Sequence, residues 1–245
     1  MTTHKLAESR DWPGAATTLS SAFWLLWRKP HVASLYIGLN LVAVLLASLF
    51  PGLMKDVTRF GPYSIDMDYG VITAWVLTTA ILPVYALLLV DGKFSGWRSL
   101  KRYNAKQYIN VGLVSVLMAS ALLAVAWLLW LVSQQIGIVL LGLLVALLAS
   151  ISLFSMAVFC AAEPNSNVLT AFKASPKLLS HNQAILWGII GLYIVVSIGA
   201  SLVSSILDGI FFANKDILQT IASSIVDLLM VVSLCLLYRW IGKNY

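Results

Sequence analysis

Residues 167–195 read NVLTAFKASPKLLSHNQAILWGIIGLYIV. In the first half, Val168, Leu169, Phe172 and Leu179 recur at helical spacing, and Lys173 and Lys177 stand four apart. From Ala184 onward the residues are almost purely apolar. A short amphipathic helix lying at a membrane surface, followed at once by a helix that crosses the membrane, has this pattern. Pro176 leaves open whether the surface helix is one piece or two, because proline removes a backbone donor.

The whole chain supports the same solvent. Of its 245 residues 60% are hydrophobic and 11% charged, with mean hydropathy +0.89. A soluble domain carries about a quarter charged residues. A span needs roughly 20 apolar residues and, with no water at that depth, must satisfy its own backbone, so it is a helix. Runs of that length occur near 32–50, 70–90, 109–132, 138–160, 184–207 and 217–238. They are uninterrupted, not the short alternating segments of a β-barrel. The expected fold is therefore all-α: one polytopic domain, 15–245, with six transmembrane helices behind a polar tail, 1–14. Pro83 predicts a kink in the second span.

Amphipathic segments precede the first, third and fifth spans: LSSAFWLLWRKP at 19–30, GWRSLKRYNAKQY at 96–108 and the opening segment. They are expected to be short cytoplasmic interfacial helices. In the first, Leu19, Phe23 and Leu26 share a face, while Trp24 and Trp27 lie near the water boundary. A lead-in helix plus an out-and-back hairpin, three times over, divides the chain at 15–91, 92–162 and 163–245. Three copies of one unit is one reading of this; independent hairpins with basic inner loops is the other.

Basic residues fix the orientation. Arg28, Lys29, Lys93, Arg98, Lys101, Arg102, Lys106, Lys173 and Lys177 all fall before odd-numbered spans, whereas the intervening loops carry few. The positive-inside rule places these loops and both termini in the cytoplasm. There the residues are expected to face anionic lipid headgroups or a protein partner. Trp12, Trp24, Trp27, Trp97, Trp187 and Trp240 lie near span ends, as interfacial anchors do. The net charge of +6 reflects these loops, and no basic run interleaved with aromatics points to nucleic acid.

Chemistry-bearing residues are sparse. Asp227 is the ionisable residue well inside a predicted span, and Asn40 is the other polar residue at depth. An intramembrane acid is either a proton or cation site or a hydrogen-bonded packing element. Asn40 fits a helix–helix hydrogen bond. His31 and His181 stand at the starts of spans without a metal set, and Asp66, Asp68 and Glu163 are scattered. Cys160 and Cys235 lack zinc spacing and read as free packing thiols. With no catalytic motif, the chain is expected to be no enzyme and to need no cofactor.

The turn AAEPNSN with the helix VLTAFKASPKLLSHN, the segment DGKFSGWRSL after the second span, and AFWLLWRKP before the first resemble the YciC-type family of bacterial six-span inner-membrane proteins. This family belongs with the glycerophosphodiester-phosphodiesterase membrane-domain and Yip1-like group. Ala171, Ser175, Leu178 and Leu179 match its helix before the fifth span. The resemblance implies a multi-pass protein of the bacterial inner membrane and carries no catalytic residue with it. A non-enzymatic membrane protein of envelope organisation, or a partner-binding membrane subunit, is the leading expectation. A permease subunit of an exporter is the alternative, and an immunity or defence protein is a third reading.

Overall fold

The structure, a computed structural model, describes residues 14–49, 55–60, 63–68, 81–94, 97–133, 135–211 and 215–244. The polar tail, Trp12 and the first half of the second expected span lie outside the described residues. In chain order the elements are α1 (Ala15–Arg28), α2 (Pro30–Leu49), β1 (Lys55–Phe60), β2 (Tyr63–Asp68) and α3 (Ile81–Val90). Then follow α4 (Trp97–Leu100), α5 (Ala105–Ser133), α6 (Ile136–Phe154), α7 (Ala157–Ala162), α8 (Val168–Leu179), α9 (Gln183–Phe211) and α10 (Lys215–Asn244).

Among the described residues four helices are long and apolar enough to cross a membrane: α5, α6, α9 and α10. Their outward residues, among them Leu128, Leu131, Leu141, Val195 and Leu202, are large, apolar and exposed. Such a surface fits lipid, not water. The chain is a helical, multi-pass membrane protein. α2 is apolar over most of its 20 residues, and α3 is the described end of the second expected span and contains Pro83. Between α2 and α3, in the connection after the first expected span, β1 and β2 pair antiparallel from Lys55↔Asp68 to Phe60↔Tyr63.

Short stretches of the even-numbered spans make the inside. Leu82 and Val84 to Leu89 of α3, Phe159 to Ala162 of α7, and Leu228, Val232, Leu237 and Ile241 of α10 are all buried in one cluster. α9 packs along α10, and α5 along α6. α8 packs on α5, α6 and α7, the hairpin before it, and α1 packs on α9 and α10, the last hairpin.

The expected fourth span is broken. α6 stops at Phe154, and α7 begins after a turn at Ser155 and Met156. A helix end leaves carbonyls without intrahelical partners, and here buried side chains supply them. Ser175 Oγ donates to the Leu153 carbonyl at 2.8 Å, and Gln183 Nε2 to that of Ser152 at 2.7 Å. At the end of α7, Gln107 Nε2 donates to the Ala162 carbonyl at 2.6 Å, and Asn110 Nδ2 to that of Ser166 at 3.0 Å.

α8 is one piece. Asn167 and Thr170 form a reciprocal capping box: the Thr170 N–H donates to Asn167 Oδ1 at 2.8 Å and the Asn167 N–H to Thr170 Oγ1 at 2.9 Å. Pro176 costs one backbone bond, yet the helix continues, and the Ser180 N–H donates to the Pro176 carbonyl. α8 buries Ala171, Ser175 and Leu179, and leaves Lys173, Lys177 and Leu169 exposed.

The facing of α1 is set by close packing. The bundle takes its small-residue face, Thr18, Ala22 and Leu25. Leu19 and Leu26 pack at the margin. Phe23, Trp24 and Trp27 point away, at 50%, 56% and 68% exposure, with Phe23 stacked on Trp27. α9 meets α1 at Gly188, where a Cβ would stand 2.7 Å from that of Ala15. The segment before α5 is helical only over the four residues of α4, and Lys106 already belongs to α5.

Candidate functional site

Two polar clusters lie within or at the edge of the bundle. The first joins the two polar residues singled out at depth. Asn40 of α2 donates from Nδ2 to Ser224 Oγ of α10 at 2.9 Å. One turn further along α10 stands Asp227, whose Oδ1 accepts from the Tyr193 hydroxyl of α9 at 2.8 Å. Tyr36 stands one turn before Asn40 on α2 and is buried. Three helices therefore contribute to one polar patch. Asp227 is half-buried and anchored by a donor. The tyrosines were absent from the sequence reading, although Tyr193 sits in the very stretch that decided the fold.

The second cluster was not anticipated. Arg239 of α10 donates through Nε and Nη2 to the two carboxylate oxygens of Asp91, at 2.9 and 2.8 Å. Its Nη1 donates to Glu163 Oε1 at 2.6 Å. The Tyr238 hydroxyl reaches the same Glu163 oxygen at 3.3 Å, and Lys93 Nζ stands 3.8 Å from Asp91. Two acids and two bases make a balanced group. Tyr103 lies beside it, and burial, then the Asp91 charge, pushes its phenol up to about 12. Glu163, expected to be scattered, and Arg239, one residue past the sixth expected span, are thus its core. Asp91 and Glu163 each end an inner helix, 148 and 76 residues before Arg239. Along α10 the two clusters are about 18 Å apart at 1.5 Å per residue. The first therefore lies deep in the apolar layer if the second marks its edge.

The anticipated basic residues do not converge. Arg28, Lys93, Lys101, Arg102, Lys106, Lys173 and Lys177 are exposed, and Lys29 is half-buried. Arg98 belongs to α4, and its side chain lies outside the described part, as does that of Trp97. Trp240 is buried in the core, contrary to the expected surface anchor. His31 stacks on Phe94, and His181 Nδ1 bonds to Ser180 Oγ at 2.9 Å. Cys160 and Cys235 are free and buried. Among the described residues no group of His, Cys, Asp or Glu could hold a metal ion.

Both clusters are internally satisfied hydrogen-bond networks. The first can tie three helices together or hold a proton at Asp227. The second locks helix ends. Comparison with family models, with curated proteins and with solved structures finds no match for the chain.

Proposed function

We propose that the chain is a non-enzymatic integral protein of the bacterial inner membrane, acting in envelope organisation or as a membrane subunit that binds a partner. The carrying observation is the division of labour among its charges. Asp91, Glu163 and Arg239 are spent on holding helix ends together. Lys101, Arg102, Lys106, Lys173 and Lys177 stand exposed on the segments adjoining those ends. An exposed basic rim around a locked core suits attraction to anionic headgroups or to an acidic partner surface. In this reading that end and both termini are cytoplasmic, six spans cross the membrane, and the lead-in helices lie in the interface. The chain is then three hairpin units, 15–91, 92–162 and 163–245. The near-equal spacing of Asp91, Glu163 and Arg239 supports them, as does the seating of α8 and α1 each on a neighbouring hairpin. The reading agrees with what the resemblance to the YciC-type family implies. Affinity purification in mild detergent, with identification of co-purifying proteins and lipids, tests it. A specific partner lost on neutralising Lys101 and Arg102 supports the reading, and a monodisperse protein with no retained partner or anionic lipid refutes it.

The alternative is a permease subunit, favoured by the gathering of Tyr36, Asn40, Tyr193, Ser224 and Asp227 from three helices. Proton or solute flux in proteoliposomes that disappears in Asp227→Asn, with folding intact, would establish it.

A further inference from the structure

Between α1 and the turn after α3 lies a cavity of about 710 Å3. One wall is α1, with Thr17, Ser20, Ser21, Trp24, Arg28 and Lys29. The other is Leu89, Val90 and Gly92. Gly92 takes a left-handed conformation, φ 69°, and the Lys93 N–H turns back to the Leu88 carbonyl at 2.9 Å. This closes α3 as helices commonly close at glycine and holds the turn against the cavity.

We propose that this cavity binds the phosphate headgroup of an anionic phospholipid, with Arg28 and Lys29 as its cationic ligands. Four observations lead there. Among the described residues the lining carries two cations and no carboxylate. Asp91, the nearest acid in sequence, has both oxygens engaged by Arg239. Arg28 and Lys29 make no ion pair among the described residues. The volume lies within the range of sites that hold small molecules, roughly 300–1,000 Å3.

The lipid source follows from what surrounds the cavity. Phe23, Trp24 and Trp27 are exposed on the same helix, Phe23 stacked on Trp27 and edge-on to Trp24. Such aromatics belong at the headgroup level of a bilayer. Leu25, Leu89 and Val90 give the same cavity an apolar part of its wall, suited to the first methylenes of a lipid. A soluble phosphate would use Arg28 and Lys29 but leave that apolar wall unmatched. The inference deepens the proposed attraction of the basic end to anionic lipid, by naming one formed site in place of a diffuse rim.

The test is lipid binding by native mass spectrometry on the detergent-solubilised full chain, with phosphatidylglycerol and phosphatidylcholine as probes. R28Q/K29Q is expected to weaken phosphatidylglycerol binding by about tenfold to thirtyfold, from about 1 kcal/mol per cation. K173Q/K177Q, an equal charge loss outside the cavity, is expected to change it less than about threefold. Ser20→Trp fills the cavity without altering charge and is expected to reduce binding as well, which keeps the proposal testable if the double variant misfolds. Equal losses in the two double variants would mean diffuse attraction and overturn the site while leaving the functional reading intact. Displacement by inorganic phosphate would identify a soluble ligand and overturn the lipid assignment. Equal binding of phosphatidylcholine would overturn the role of the two cations.

Discussion

Arg239 grips Asp91 with two parallel hydrogen bonds, 2.9 Å from Nε and 2.8 Å from Nη2, across 148 residues of sequence. Glu163 receives only the remaining arm of the guanidinium. The fork geometry makes the Asp91 pair the stronger of the two. Asp91 is also the less exposed acid, 19% against 33%. Asp91→Asn is expected to cost about 2–3 kcal/mol, because Arg239 is left partly buried and half-paired. Glu163→Gln should cost about 1 kcal/mol, with solvent screening what it loses. Thermal unfolding in detergent should rank the two in that order. A double-mutant cycle with Arg239→Gln should show a larger coupling to Asp91 than to Glu163.

This network also marks where sequence reading ran out. The membrane class, α8 with its following span, and the half-buried Asp227 were legible because lipid imposes length and apolarity on local sequence. Asp91 and Glu163 looked like loop residues, and Arg239 like the start of a tail. Nothing local signals that three chain-distant helix ends meet. The split of the fourth span at Ser155 was hidden for a related reason: SLFSMAVFC is apolar throughout, and the break is stabilised by Ser175 and Gln183, which lie beyond it in sequence. Which face of α1 meets the bundle was not legible either: close helix approach selects Ala22, and Phe23 is left exposed.

Asp227 accepts from Tyr193 at 2.8 Å, and that bond separates two substitutions. Asparagine keeps an oxygen where Oδ1 stands, so Asp227→Asn should preserve the α9–α10 contact and cost under about 1 kcal/mol. Leucine leaves the Tyr193 hydroxyl without its carboxylate acceptor, and Asp227→Leu should cost about 1–3 kcal/mol. Tyr193→Phe should remove most of the difference between the two. Denaturation of the purified variants checks this. If Asp227→Asn and Asp227→Leu are equally harmful, the ionised carboxylate itself matters, which would favour the permease reading.

The clamps on the broken fourth span are a separate source of stability. Ser175 is fully buried and gives its hydroxyl to the Leu153 carbonyl. Ser175→Ala should cost about 1 kcal/mol and Gln107→Leu about 1–3 kcal/mol, since each orphans a carbonyl at a helix end. Hydrogen exchange should show the loss locally. Residues of α6 near Leu153 should open more readily in the serine variant, and residues of α7 near Ala162 in the glutamine variant.

Two glycines face neighbours of different compliance. A Cβ at Gly188 meets the Cβ of Ala15, which cannot move without shifting α1. A Cβ at Gly142 meets only the far end of the Leu129 side chain, which can turn away. Alanine favours an exposed helix over glycine by about 1 kcal/mol. Gly142→Ala should therefore be neutral or slightly stabilising, and Gly188→Ala destabilising through α1. Proteolysis near residue 14 should accelerate in Gly188→Ala alone.

Orientation can be read with a single thiol, because both native cysteines are buried, Cys235 at 0% and Cys160 at 7% exposure. Neither should react with a membrane-impermeant maleimide in the folded protein. Lys177 stands exposed in the last turn of α8, so Lys177→Cys provides one accessible probe without removing the native thiols. If α8 lies on the cytoplasmic face, intact cells should leave this thiol unlabelled and inverted membrane vesicles should label it. Ser133 and Gln135 flank the turn between α5 and α6, at the far ends of spans about 30–45 Å long. Gln135→Cys should give the opposite pattern. Labelling of both from one side would contradict the six-span topology, and labelling of Lys177→Cys in intact cells would reverse its direction.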